Sequence, residues 1–258
     1  MSSVGVGDKR PRDGDGGDVH FAHASKAFFA LESLTPKGRR KNVDVGDPHD
    51  ASRPFFKLGG VSVGSWSCTE GGWGSPAPRP TTECFLMLAG KGSVDDADGT
   101  KHTFGPGDLV VLPKGWCGRW DVIDAIHKVW VVHDHAEVEG AATRALVTPP
   151  SSFIASEMQS QGVRKDASHG TPTSATRKAY GVGTTAVGCW SCTAGSFPVV
   201  DRPTTEVFHV ISGVFFLTND DGSARRCVAG DTVVLPKGWS GHWDIIEPIK
   251  KVWVVVSD

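Results

Sequence analysis

The 258-residue sequence has no excess of either charge, with 27 Lys and Arg against 29 Asp and Glu. A nucleic-acid or anionic-membrane partner would need a strong positive field, so neither is expected. No run of about 18 apolar residues occurs, and so no membrane-spanning helix is expected. Residues 1–20 lack the apolar segment of a secretion signal, which makes the cytoplasm the expected compartment. The "DKRPRD" stretch there is flanked by acidic residues and reads as part of a solvated, disordered tail. There is no Ser-His-Asp set, P-loop or dinucleotide fingerprint. The six cysteines are expected as reduced thiols. Cys189 and Cys192 spell C-x-x-C, but they lie in "AVGCWSCT", which alternates like a strand and turns residues three apart to opposite faces. No second Cys or His pair follows at zinc spacing.

What is present is apolar, aromatic and punctuated. Hydrophobic residues make up 39%, with nine Trp and twelve Phe, enough for a core. The 32 Gly and 16 Pro are spread between short β-branched and aromatic runs, the pattern of an all-β chain. The sequence also repeats itself. Gly107–Val132 and Gly230–Val255 differ only at 109, 117, 119, 122, 124, 125 and 127 of the first copy. "RPTTECFLMLAG" (Arg79–Gly90) matches "RPTTEVFHVISG" (Arg202–Gly213), and "GSWSCT" matches "GCWSCT" further back. Each unit spans about 75 residues, the size of a small barrel rather than a solenoid repeat. The expected division is a tail at 1–20, an N-terminal barrel at 21–135, a linker at 136–177 and a C-terminal barrel at 178–258. A helix is expected over Ala24–Leu34, where Ala27, Leu31 and Leu34 share a face, and another over Ser151–Gln159.

This pattern resembles the cupin superfamily in its two-barrel, bicupin form. Glu83 to Gly90 and Glu206 to Gly213 have the spacing of the first cupin motif. Gly107, Pro113 and Gly115, and again Gly230, Pro236 and Gly238, fit the second. The stretch "GDTVVLPKGWSGHWDIIEPIKKVWVV" looks like the branch named after (S)-ureidoglycine aminohydrolase, which also includes an ethanolamine-utilisation cupin. The resemblance implies an all-β fold of two jelly-roll-like barrels related by a pseudo-twofold axis, and bicupins can pair further into homodimers.

It also implies four metal ligands, a Glu and three His. Here only the Glu survives, as Glu83 and Glu206. The three His positions hold Ala77, Arg79 and Gly118 in the first barrel and Val200, Arg202 and Gly241 in the second. Arginine has no lone pair to give. The expectation is therefore no metal. The fallback is one divalent ion such as Mn, Fe, Ni or Zn in the C-terminal barrel on Glu206, His209 and a bulged His242. Alternation turns His209 and His242 away from Glu206, and Trp120 and Trp243 inward.

Arg79, Glu83 and Trp120, with Arg202, Glu206 and Trp243, are then the candidate ligand-binding residues. Arg and Glu four apart on a straight strand stand about 13 Å from each other, so they meet only if the chain bends at the proline between them. The pair either fills the vacated metal position or lines a pocket, where Arg could grip a carboxylate and the indole could stack. Lys114 and Lys237, in identical "LPKGW" turns, are expected to be solvated. Cys68, Cys84 and Cys192 are expected to pack as small apolar groups. Three functions stay open: a metal-free binder of a small polar or anionic metabolite, a metal-dependent enzyme acting on a small nitrogenous or carboxylated metabolite, and a structural or interaction module.

Overall fold

The computed structural model describes residues 19–153 and 157–257, so the expected tail lies, but for residues 19 and 20, outside them. The described chain is all-β, in two sheets of ten and nine strands. The first half carries β1 (Ala22–Ala24), β2 (Thr35–Arg39), β3 (Val43–Gly46), β4 (His49–Leu58) and β5 (Val61–Cys68). It continues with β6 (Gly71–Ser75), β7 (Thr82–Asp96), β8 (Lys101–Phe104), β9 (Leu109–Leu112) and β10 (Gly118–His133). The second half has β11 (Leu146–Thr148), β12 (Gln159–Val163), β13 (Thr173–Val182), β14 (Thr185–Cys192) and β15 (Gly195–Val199). It ends with β16 (Thr205–Asn219), β17 (Ala224–Val228), β18 (Thr232–Leu235) and β19 (Gly241–Val256).

The two sheets share one order. It runs β11-β9-β7-β10-β5-β4-β2 in the N-terminal barrel and β1-β18-β16-β19-β14-β13-β12 in the C-terminal barrel. The first strand of each half has therefore crossed to the other half. β1 pairs antiparallel with β18, and β11 pairs with β9 in the matching register. This reciprocal exchange is what a twofold relation between the halves requires.

Three expectations change here. The stretch 136–177, expected as a linker, carries β11, β12 and the start of β13, so the structural repeat is longer than the 75 residues that the sequence identities mark. The helix expected over Ala24–Leu34 is instead a strand end followed by two 3-10 turns, Lys26–Phe29 and Leu31–Ser33. Pairing with β18 supplies the backbone partners of Ala22–Ala24 that a helix would have supplied. Ala30, at φ −57° and ψ 143°, then breaks the helical path. Ser151–Gln159 likewise begins as a 3-10 turn, Pro150–Phe153, and reaches strand at Gln159; residues 154–156 lie outside the described set.

Alternation sorts most buried side chains into a core within each barrel and one between them, beside a small fourth cluster of Ala24, Phe29 and Val129. On β7, Phe85 and Met87 point into their own barrel, whereas Cys84 and Leu86 point at the other. On β16, Phe208 and Val210 point inward and Val207 points across. The core between the barrels is Val-rich, with Val63, Val111 and Val131 against Val187, Val207 and Val254. Strands buried on both faces read as continuous apolar runs, which is why "LVVL" and "TVVL" show no alternation in sequence.

Candidate functional site

In each barrel the two repeated phrases of the sequence are held together. The "PKGW" turn grips the arginine of "RPTTE" by its backbone. Arg79 N donates to Trp116 O at 2.9 Å and accepts at its own carbonyl from Gly115 N at 2.8 Å. Arg202 makes the same two bonds with Trp239 and Gly238, at 3.0 and 2.7 Å. Lys114 N and Lys237 N donate to Thr82 Oγ1 and Thr205 Oγ1. The turn needs a residue in the left-handed region, supplied by Gly115 at φ 85° and Gly238 at φ 82°. Trp116 and Trp239 anchor it, fully buried, with their indole N–H bonded to Asp96 Oδ1 and Asn219 Oδ1.

This clamp makes the bend that the sequence required. Each arginine precedes its strand, and its guanidinium folds back on the glutamate four residues later. Arg79 Nη2 lies 2.9 Å from Glu83 Oε2, and Arg202 Nη2 lies 2.9 Å from Glu206 Oε2. The other carboxylate oxygen is taken by a residue that sequence reasoning missed. Lys128 Nζ sits 2.7 Å from Glu83 Oε1, and Lys251 Nζ sits 2.8 Å from Glu206 Oε1.

Each ammonium is caged by aromatic faces. Lys251 Nζ is 4.1 Å from the ring centroid of Phe208, 4.7 Å from Trp243 and 4.9 Å from Trp190. Lys128 Nζ is 4.0 Å from Phe85, 4.7 Å from Trp120 and 4.8 Å from Trp66. These distances suit cation–π attraction. Trp120 lies parallel to Trp73, and Trp243 to Phe197, each with centroids 6.0 Å apart. All six expected ligand-binding residues thus meet, three per barrel, around a buried lysine. The one signal available was spacing: Lys128 and Lys251 stand two residues before Trp130 and Trp253 in "HKVWVV" and "KKVWVV", on the same face of their strands.

Burial would raise the pKa of both glutamates, but the lysine and then the arginine beside each hold it below the ordinary carboxylate value. Burial pushes Lys251 down to about 8 against the opposing pull of Glu206, and Lys128 is lowered for the same reasons. The cluster in each barrel is a glutamate held between an arginine and a lysine. Arg79 Nε and Arg202 Nε are buried with no hydrogen-bond partner among the described residues.

The glycines at the second-motif ligand position are sterically closed. A Cβ at Gly118 would strike the Asp95 carbonyl and the Trp116 ring, and one at Gly241 would strike the Thr218 carbonyl and the Trp239 ring. Ala77 is exposed, and Val200, at 78% exposure, lines the mouth of the C-terminal cavity with an aliphatic side chain that cannot ligate. His209 does not turn toward Glu206; its Nδ1 bonds Thr232 Oγ1 at 2.9 Å in the core between the barrels. His242 stays half-buried on the outer face, bonded to Ser168 Oγ at 2.8 Å. No bulge re-aims it, because β19 keeps unbroken register with β15 there. Glu206, His209 and His242 are not brought together. Lys114, expected as solvated, is instead mostly covered: its Nζ donates to the His135 carbonyl. Cys84 lines the core between the barrels, while Cys68 and Cys192 pack inside their own.

The C-terminal cluster opens on a cavity of about 510 Å³ lined by Arg164, Arg202, Glu206, Lys251 and the rings of Trp190, Trp243 and Trp253. Arg164 reaches it from just after β12, its guanidinium 3.8 Å from the Phe197 ring centroid and paired with Asp166 at 2.6 Å. Its counterpart Arg40 lies 4.8 Å from the Trp73 ring centroid and bonds Asp50 at 2.8 Å.

The fold and this repeated cluster define a two-barrel cupin. The EutQ-like cupin domain family matches residues 56–130 and again 181–253, more than half of the chain, and the chain belongs to that family. Among curated protein sequences none matches it. Solved structures share the architecture at low identity. A protein of unknown function from Pseudomonas syringae pv. tomato is 17% identical, covers 92% of this chain and 99% of its own, and superposes with a TM-score of 0.70. Protein YlbA from E. coli is 9% identical over 95% of this chain and 94% of its own, TM-score 0.62. The Lactobacillus farciminis oxalate decarboxylase formate complex is 13% identical over 94% of this chain and 88% of its own, TM-score 0.55. Among the described residues no helix is long and apolar enough to cross a membrane.

Proposed function

We propose that the C-terminal barrel binds a small carboxylate and that neither barrel holds a resident metal at its centre. The observation that carries this reading is the set of charges around the cavity. Arg164, Arg202 and Lys251 stand against Asp166 and Glu206, three cations to two carboxylates, so a monoanion neutralises the site. Arg202 has an unused buried N–H, and the guanidinium plane suits a carboxylate. The indoles of Trp190, Trp243 and Trp253 supply flat apolar walls for the rest of the ligand.

A divalent ion does not fit the same donors. A guanidinium cannot ligate, both oxygens of Glu206 are already bonded to cations, and Gly241 has no room for the histidine that the family would place there. The Lys251 ammonium supplies the positive charge in the metal's stead. A ureidoglycine-aminohydrolase-like or other metal-dependent reaction has no ligand set at the barrel centres to start from. The N-terminal cluster repeats the arrangement around Lys128.

The test is a thermal-shift series on the full chain with small mono- and dicarboxylates, each beside its neutral amide. A carboxylate present at about 100 times its Kd should add about 2.7 kcal/mol of stability, and the amide should add little. Arg202→Gln should abolish the difference. Equal responses to acid and amide across the series would remove the reading.

A further inference from the structure

One group of ligand-type side chains lies outside the barrel centres and takes no part in carboxylate binding. His23, Cys227 and Asp231 place one ligand atom each within 4.8 Å of the others. They come from three elements: His23 from the exchanged strand β1, Cys227 from β17, and Asp231 from the turn before β18. Asp231 Oδ2 is 2.9 Å from His23 Nε2. Cys227 is fully buried, Asp231 nearly so, and the His23 side chain keeps 17% exposure, which leaves a way in from solvent.

The other barrel shows what this seam needs for packing alone. By the matched strand registers, His23 corresponds to Val147, and Cys227 to Phe104. Only the aspartate is kept: Asp108 caps Gly105 N, and Asp231 likewise caps Val228 N and accepts from Lys26 N, neutral backbone donors that leave its carboxylate free of a cation. Two apolar side chains therefore suffice to dock an exchanged strand on this fold. In the C-terminal barrel the same two places hold an imidazole and a thiol facing a buried carboxylate. Nitrogen, sulfur and oxygen donors in one group, on separate elements, form the mixed set that zinc accepts, with water in the fourth position.

We propose that His23, Cys227 and Asp231 form a zinc site that fastens the exchanged N-terminal strand to the C-terminal barrel. On binding, the Cys227 S–H bond breaks, the sulfur–zinc bond forms and the proton leaves to water. His23 Nε2–H, which donates to Asp231 Oδ2, gives up its proton to water while Nδ1 takes one up, so the ring stays neutral, the bond to Asp231 is released and the Nε2 lone pair turns to zinc. No electron transfer is involved. Because Val147 and Phe104 offer no donors, the site occurs once per chain and not twice.

The experiment is titration of chelator-stripped full-length protein with Co²⁺ and with Zn²⁺. One equivalent of Co²⁺ should give a tetrahedral spectrum with a thiolate-to-metal charge-transfer band. Zn²⁺ should bleach it, raise Tm and protect Cys227 from alkylation. His23→Ala and Cys227→Ser should each weaken binding by about 10–100-fold or more, whereas Glu206→Gln should leave it unchanged. The spectrum of the unsubstituted protein decides even where a variant folds poorly. No uptake, a cobalt spectrum without the thiolate band, or binding lost with Glu206→Gln and kept in Cys227→Ser would overturn the proposal.

Discussion

Replacing Lys251 with methionine removes an ammonium that lies between Glu206 and three aromatic rings, and keeps a flexible apolar side chain in its place. Breaking one partner of a buried ion pair costs about 3–5 kcal/mol, because the other charge stays buried and uncompensated. Glu206 still has Arg202 at 2.9 Å, so Lys251→Met belongs at the lower end, about 3 kcal/mol. Glu206→Gln leaves two cations facing each other and should cost about as much. The double variant buries neither charge of the pair, so its cost should fall short of the sum by about 2 kcal/mol or more. Urea denaturation at pH 7 measures the cycle, provided that m is unchanged among the four proteins. Lys128→Met with Glu83→Gln repeats it in the other barrel. Additivity within about 0.5 kcal/mol in both cycles would mean that lysine and glutamate do not act as a unit, and the account of the site would fail.

Gly241→Ala should destabilise the protein by roughly 2 kcal/mol or more, read as a fall in Tm, because the added methyl meets both backbone and a fully buried indole. His209 titrates near 4 in the folded chain, lowered by burial, against 6.5 unfolded. The unfolded state therefore binds the extra proton first, and stability should drop by about 3 kcal/mol as pH falls from 6.5 to 4, a slope that His209→Gln should flatten in urea midpoints measured across that range. The metal content of purified protein should be indifferent to Glu206→Gln, whatever its amount; metal lost with that substitution, measured by elemental analysis, would restore the family ligand set.

The fold was readable because the duplicated turns, strand runs and glycine positions all point the same way. The inward Glu and Trp followed from simple alternation along β7, β16, β10 and β19, whereas Arg79 and Arg202, just before β7 and β16, join them only through the bend at the proline turn. Lys128 and Lys251 escaped because a lysine inside an apolar strand reads as an end or an edge. Only the cage of rings and the glutamate, brought from other strands, make its burial tolerable. The exchanged strands escaped for a different reason. β1 and β11 have three residues each and little sequence identity, since one seam is built on His23 and Cys227 and the other on Val147 and Phe104. The identities that mark a repeat lie in the barrel wall, while its true ends are set by pairing across the duplication.

That pairing has a consequence for how the chain is divided. A single repeat would leave β9 or β18 with an open edge and its own first strand with nothing to join. Two separate copies would have to trade strands to complete themselves, and would do so only at sufficient concentration. Joined in tandem, each half finds its missing strand on the same chain, at an effective concentration that dilution cannot lower. The two halves thus pair within one chain as two subunits would, and cutting between them should not yield two working barrels.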